Sequence, residues 1–426
     1  MENLVGLAGV AVILLVGWAL STARGSVRWR PVVTGVAMQF LLAYLFLRFP
    51  PAVAAFDLLA RGVTAVIGFA DEGVRFVFGS LADASGAWGF VFAVRVLPVI
   101  VFFAALMSVL YHLGVMQRVI AVIAWAIRRT MGVTGVEALS AAANIFVGQT
   151  EAPLTVKPFI PRMTASQLNA VMVGGFATIA GSVMAGYVAM VGGEDQAMRV
   201  EVAKHIMAAS IMSAPAGIAM AKLVVPETAV PPDETPDALR ALPRTTVNVM
   251  DAAAEGALDG LKLALNVGAM LVAFVALIAL LNWPLAALSE WGPVAGWRDA
   301  WGVPVLSFQN LLGMLLRPLA ALMGAGADSG ALASLLGTQV VATEFVAYAD
   351  LAKLVQGDAI SPRGAAIATY ALCGFANLPS IAIQIGGLGA MAPERRGDLA
   401  RLGLRAMAAG ALACWMTGAV AGVFLR

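Results

Sequence analysis

The chain has 426 residues, of which 61% are hydrophobic and 12% charged, with a mean hydropathy of +0.88 and a formal net charge of +2. That is the profile of a polytopic membrane protein. It leaves no soluble stretch large enough for a catalytic domain, and without a long basic run it offers no footprint for nucleic acid.

Apolar segments near 4–20, 31–49, 90–127, 165–192, 202–225, 258–282, 364–392 and 399–424 each supply the roughly twenty residues a helix needs to cross the hydrocarbon core. The first lacks the basic start and small-residue cleavage site of a signal peptide and reads as a retained span. Arg24, Arg28 and Arg30 follow the first span, Arg128 and Arg129 the third, and Arg395 and Arg396 separate the last two. With eight crossings, these loops share the cytoplasmic face if both termini lie outside the cytoplasm, the orientation expected in a cell inner membrane. The acidic loop GGEDQ at 192–196 then lies outside, and the Pro-rich linker PETAVPPDETPDALRALPR at 226–244 lies inside.

The segments 53–66 and 304–323 read as interfacial or scaffold helices, the second with Gln309, Asn310 and Arg317 among its leucines and a kink expected at Pro318. Trp283, Trp291, Trp297 and Trp301 precede it as an aromatic belt would. Two further apolar segments, 135–163 and 330–357, are interrupted near their middles by polar clusters containing Thr150–Glu151 and Thr343–Glu344. Each is followed by a Gly-rich span with a polar break, GGFATIAGSVMAG at 174–186 and CGFANLPSIAIQIGG at 373–387, and then by one more span. Irregular backbone survives at membrane depth only where protein or a water-filled cavity satisfies it, and paired discontinuous segments point to a transporter's substrate site. The expected fold is therefore an all-α integral membrane protein with eight transmembrane helices and two re-entrant hairpins arranged as an inverted repeat. Its parts are N-terminal spans and scaffold helices over 1–130, a first transport half over 131–225, and a cytoplasmic linker over 226–245. A scaffold span with interfacial helices covers 246–325, and a second transport half covers 326–426.

The clusters hold two carboxylates, the amides of Gln149 and Asn377 and the hydroxyls of Thr150 and Ser380, with no cationic side chain among them. Such a set suits a polar, neutral, hydroxyl-rich substrate, because a phosphate or carboxylate would call for arginine. Asn144, Thr178 and carbonyls of an unwound span offer the neutral oxygens that a sodium ion accepts. Cys373 and Cys414 read as small core residues, and the two histidines, His112 and His205, as packing or interfacial residues.

The motifs GQTEAPL, GGFATIAGSVMAGY, IMSAPAGIAMAKLVVPET, LALNVGAMLVAFVALIALLN, TEFVAY and CGFANLPSIAIQIGG occur in this order from about residue 90 onward. Together they resemble the concentrative nucleoside transporter family. The resemblance implies a homotrimer in the lipid bilayer whose transport domains move by an elevator motion against a trimeric scaffold, with nucleosides such as uridine carried together with Na+. It places Gly148, Gln149, Thr150 and Glu151 at the nucleobase with Val183 packed nearby, the base being held in a closed, largely dry pocket. It puts Glu344, Asn377 and Ser380 at the ribose hydroxyls and Phe375 along the pocket wall. Asn144, Val147, Thr178 and Ile179 would ring the sodium. Three positions depart from the pattern: Thr343 where asparagine is usual, Gln339 where lysine is common, and Pro379, expected to interrupt the broken helix, where serine is usual. The alternatives to sodium symport are proton coupling through Glu151 or Glu344, and a non-transporting receptor or enzyme. No nucleophile or metal set with recognisable spacing supports an enzyme, and no P-loop supports direct ATP drive.

Overall fold

The structure, a computed structural model, describes residues 2–83, 88, 91–193, 195–232, 246–300 and 305–425, and every regular element among them is helical. Helices α1 (Glu2–Ala19), α2 (Trp29–Leu47) and α3 (Pro50–Phe78) lead through a single turn, α4 (Phe92–Arg95), into α5 (Leu97–His112) and α6 (Val115–Met131). The segment 90–127, expected to be one span, is thus divided. Gly114 stands at φ 75°, a left-handed conformation that only glycine adopts freely, and the chain turns there. Beyond the turn, α6 buries Met116, Ile120, Ile127 and Met131 on one face and carries Arg128 and Arg129 in its last turn, the pattern of an amphipathic surface helix. The segment expected as an interfacial helix at 53–66 is part of the longer α3. Its first two residues, Pro50 and Pro51, occupy positions whose N–H groups have no helical partner in any case.

The first interrupted segment folds as a hairpin of α7 (Gly135–Asn144) and a 3-10 arm, Ala152–Arg162. The second arm is not an α-helix because Pro153, Pro158 and Pro161 each remove a donor from the ladder. The broken span follows as α8 (Ala165–Ala177) and α9 (Gly181–Gly192), then α10 (Gln196–Val224). Of the linker, residues 226–232 leave α10, while 233–245 lie outside the described residues. Next come the 42-residue α11 (Val249–Glu290), α12 (Gly292–Ala300) and α13 (Phe308–Ala320). The kink expected at Pro318 falls later, in a π turn over Ala321–Ala325 where Gly324 has φ 84°. Of the predicted tryptophan belt, Trp283 and Trp291 are exposed; Trp301 and the side chain of Trp297 lie outside the described residues. The second hairpin is α14 (Ser329–Val341) and α15 (Glu344–Gln356), and the second broken span is α16 (Pro362–Ala371) and α17 (Leu378–Met391), followed by α18 (Arg396–Phe424).

Among the described residues, eight helical stretches are long and apolar enough to cross a membrane, although they are not the same eight segments as expected. Pro50–Ala82 and Phe308–Val341 qualify, whereas the apolar Val5–Ala19 is short and the second broken span falls below the length because it is divided. Several restarts of the chain after a break carry their own polar cap, whereas α9 starts from Ala180 without one. Thr134 and Glu137 form a capping box on α7, Thr164 and Gln167 one on α8, and Asp195, Thr343, Ser361 and Asn377 accept backbone N–H bonds at α10, α15, α16 and α17. Inside a bilayer no water can satisfy those N–H groups, so the caps are what make interrupted helices tolerable there.

The core is built from the two repeats leaning on each other. α10 packs on α8 and on α16, and α18 packs on α16 and on α8, so each long helix touches both broken spans. α10 and α8–α9 are almost wholly buried, whereas α11 is mostly exposed and pairs with α5. That pairing is close because Gly256 and Gly260 face α5: a Cβ on Gly260 would come 2.8 Å from the Cα of Val101. At the other end of α10, buried Lys222 pairs with Glu137 and with Glu227 (3.5 Å) and donates to Ser166 Oγ (2.9 Å). Thr164 Oγ1 donates to Glu227 Oε2 (2.9 Å), so the base of the first hairpin, the start of α8 and the chain leaving α10 form one ion-paired knot.

Candidate functional site

The unwound segments of the two broken spans lie against each other. Residues 178–180 separate α8 from α9, with Thr178 extended at φ −129°, ψ 165°. Residues 372–377 separate α16 from α17, and a Cβ on Gly374 would come 2.6 Å from the carbonyl oxygen of Phe176 at the end of α8. Cys414 of α18 fills the junction, its thiol directed at the carbonyls of Ala177 and Cys373, each at 3.5 Å. Both cysteines are free and fully buried, as expected of core residues.

Around this junction the hairpins bring their polar residues into one chain of hydrogen bonds. Glu344 is the first residue of α15, where the helix dipole favours a carboxylate. Its Oε1 accepts from Tyr187 Oη (3.0 Å) and its Oε2 from Asn377 Nδ2 (2.6 Å). Asn377 Oδ1 accepts from the Ser380 N–H (2.9 Å), which caps α17, and Ser380 Oγ accepts from Gln149 Nε2 (3.2 Å). Gln149 Oε1 in turn accepts from Gln384 Nε2 (3.1 Å). Four predicted residues, Gln149, Glu344, Asn377 and Ser380, are therefore joined in one network, and all four are buried. The Glu344 carboxylate keeps a lone pair for a further hydroxyl.

Other predicted residues sit around the network without bonding to it. Val183 is buried in the first turn of α9, Phe375 is partly buried within the second break, and Thr150 lies against α17, where a Cβ on Gly387 would come 2.8 Å from its Cγ2. Glu151 departs from expectation. It is exposed, and among the described residues its Oε2 accepts the Gly148 N–H (3.1 Å), so the protein does not enclose this residue as expected. The cause is local: Glu151 ends the tip just before the proline-bound 3-10 arm, which holds it at the rim.

Asn144 is the last residue of α7 and fully buried, with Nδ2 donating to the Ser140 carbonyl (3.0 Å). Its Oδ1 is buried with no protein partner among the described residues. Thr178 Oγ1 donates to the Gly174 carbonyl (2.8 Å), and a Cβ on Gly174 would come 2.9 Å from Asn144 Nδ2, so both side chains border Gly174. The Gly181 N–H donates to the Phe146 carbonyl (2.9 Å), tying the hairpin tip that carries Val147 to the break that carries Ile179. A neutral-oxygen cluster containing one unpaired buried acceptor fits a monovalent cation.

Sequence reasoning missed Tyr187, Gln384 and the role of Gln339. Tyr187 and Gln384 stood inside quoted motifs, and their spacing of one turn from Val183 and from Ser380 was the available signal. Gln339 donates to the Leu372 and Gly374 carbonyls (3.3 and 3.0 Å), satisfying the second break with a neutral group. Thr343 accepts the Val346 N–H (3.4 Å) as the cap of α15, a task an asparagine performs equally. Pro379 does not interrupt the broken helix. It lies in the first turn of α17, two residues after its Asn377 cap, where a missing N–H breaks no ladder.

Residues 205–422 match the family described as Na+ dependent nucleoside transporter C-terminus, residues 8–81 its N-terminus, and residues 93–194 a nucleoside recognition domain. An uncharacterised transporter of Haemophilus influenzae is 46% identical over all of this chain and 98% of its own length. Human sodium/nucleoside cotransporter 1 is 39% identical over 99% of the chain, which spans 64% of that longer protein. Among solved structures, CNTnw in an inward-facing substrate-bound state superposes with a TM-score of 0.89 at 43% identity, covering 100% of this chain and 98% of that one. The helical fold, the paired interrupted hairpins and these similarities agree, and the chain belongs to the concentrative nucleoside transporter family, a family of membrane transporters and not of enzymes.

Proposed function

We propose that this protein imports nucleosides by sodium symport across the cell inner membrane, as a homotrimer with both termini outside the cytoplasm. In this reading Gln149, Thr150 and Glu151 meet the nucleobase beside Gly148 and Val183. Glu344, Asn377 and Ser380 hold the ribose hydroxyls, and Phe375 lines the pocket. The names of the matching family and of the mammalian relatives support nucleosides and Na+ as the transported pair. Solved inward-facing and outward-facing structures of CNTnw, both similar to this chain over its whole length, support an elevator motion.

The observation that carries sodium coupling is the unpaired, buried Oδ1 of Asn144 beside Thr178 and the unwound backbone. Asn144 and Thr178, with the carbonyls of Val147 and Ile179, make a neutral-oxygen site suited to a hard monovalent cation. An ion there stiffens the hairpin tip that carries Gln149. Sodium therefore tightens nucleoside binding, and by linkage nucleoside tightens sodium by the same factor. The test is equilibrium uridine binding titrated with sodium at fixed pH and ionic strength, in the wild type and in Asn144→Ala. The expected result is sodium-dependent affinity that the substitution abolishes. Binding indifferent to sodium and strengthened as pH falls would replace this reading with proton coupling.

A further inference from the structure

Gln384 belongs to none of the residues assigned above to substrate or ion, yet it is 1% exposed and sits in the middle of the network. Its Nε2 lies 3.1 Å from Gln149 Oε1 and 3.0 Å from the Met172 carbonyl oxygen. A primary amide has two N–H groups, so both are used. The Met172 carbonyl can only accept. That fixes which end of the Gln384 amide faces α8 and Gln149, a choice that would otherwise be free, since either end of an amide fills the same space.

The constraint passes to the next residue. With a Gln384 N–H pointing at it, Gln149 must offer its oxygen on that side, and its Nε2 is left facing Ser380 Oγ (3.2 Å) on the opposite side. One Nε2 hydrogen serves Ser380 and the other has no protein acceptor at hydrogen-bond distance among the described residues. Gly175 makes the pairing possible, because a Cβ there would come 2.7 Å from Gln384 Nε2 and 2.8 Å from Gln149 Cβ. Two independent features, a backbone carbonyl that only accepts and a glycine that clears the space, thus hold the two amides in one orientation.

We propose that Gln384 is a positioning residue that sets nucleobase specificity: it locks the Gln149 amide so that the hairpin tip presents a hydrogen-bond donor, and the site selects bases by an acceptor, a ring nitrogen or carbonyl oxygen, at that edge. This rests on the reading of Gln149 as a nucleobase ligand. Without the lock the Gln149 amide turns over, presents donor or acceptor as the ligand requires, and the acceptor is no longer demanded.

The experiment is competition against radiolabelled uridine uptake in proteoliposomes. The competitors are uridine and adenosine with analogues that each lack one base acceptor, namely the 2-oxo or 4-oxo group of the pyrimidine or one ring nitrogen (N1, N3 or N7) of the purine. In the wild type, one analogue in a series competes about tenfold more weakly than its parent, the loss expected for one good hydrogen bond. In Gln384→Met, which keeps an unbranched side chain of similar length, that analogue and its parent compete within about twofold while uridine uptake persists. In Gln384→Glu, an acceptor-only group draws the Gln149 nitrogen toward itself, and the preference moves to bases offering a donor at that edge. A variant that elutes as a single species and keeps the wild-type discrimination overturns the proposal, as does a wild type indifferent to every acceptor. Should Gln384→Met fail to fold, Gln384→Glu decides alone, and a Gln384→Asn variant, one methylene short of the lock, must lie between wild type and loss; misfolding of all three would mark Gln384 as a structural residue and likewise overturn the assignment. Absence of uridine uptake by the wild type would instead refute the nucleoside reading, so the two failures are distinguishable.

Discussion

Glu344 takes hydrogen bonds from Tyr187 and Asn377 on separate oxygens, so its geometry is held before any substrate arrives. Replacing it with glutamine keeps the shape but leaves one end unable to accept, and bonds from ribose hydroxyls lose their charge assistance, roughly 1.5–3 kcal/mol. Uridine uptake by Glu344→Gln is expected to fall by about tenfold or more, measured as initial rate at low substrate. Wild-type uptake in that variant would remove the ribose from Glu344. Gly175 makes a second prediction at this scale. Its missing Cβ is what admits Gln149 and Gln384 side by side. Gly175→Val is expected to destabilise the protein by about 1–3 kcal/mol through overpacking and to weaken uridine binding in step, read from thermal unfolding in detergent and from equilibrium binding. Unchanged melting would mean that the pair can separate freely.

At the scale of elements, polar caps mark several of the points where helices restart. Thr343→Ala removes the side-chain acceptor for the Val346 N–H, at a cost of about 1 kcal/mol, while Thr343→Asn restores a cap and is expected to melt as the wild type does. The interruptions themselves were legible because polar clusters in long apolar runs have few physical explanations. The division of 90–127 was not. Gly114 looks in sequence like any packing glycine, and only its positive φ marks a turn. Pro379 misled for a related reason, since a proline inside an apolar span reads as a breaker until the cap at Asn377 places it in a first turn. Within the site, Glu344, Asn377 and Ser380 could be nominated from their chemistry, whereas Tyr187 and Gln384 were marked only by their one-turn spacing from Val183 and Ser380. A tyrosine or glutamine on a helix has no meaning until the neighbour it faces is known, and that neighbour lies far away in the chain.

At the scale of the whole molecule, the buried repeats and α11 differ in what they offer to their surroundings. Much of α11 is exposed apolar surface, including Leu258, Leu265, Val272 and Leu280, and in a membrane such surface meets lipid or other copies of the chain. The proposed trimer is checked by native mass spectrometry in mild detergent, where a three-copy species is expected to dominate. A dominant monomer or dimer would count against it.

The burial of both thiols at the junction of the two breaks has a practical meaning. The chain contains only Cys373 and Cys414, neither exposes any surface, and they form no disulfide with each other. To a maleimide the folded protein is therefore a cysteine-free one. Labelling is expected to be negligible in the folded state and to reach two thiols per chain after denaturation, by intact mass. Fluorescent or spin labels can then be placed on engineered surface cysteines without first deleting native ones, and displacement between the hairpin-bearing repeats and the α5–α11 pair can be followed in the otherwise unaltered chain.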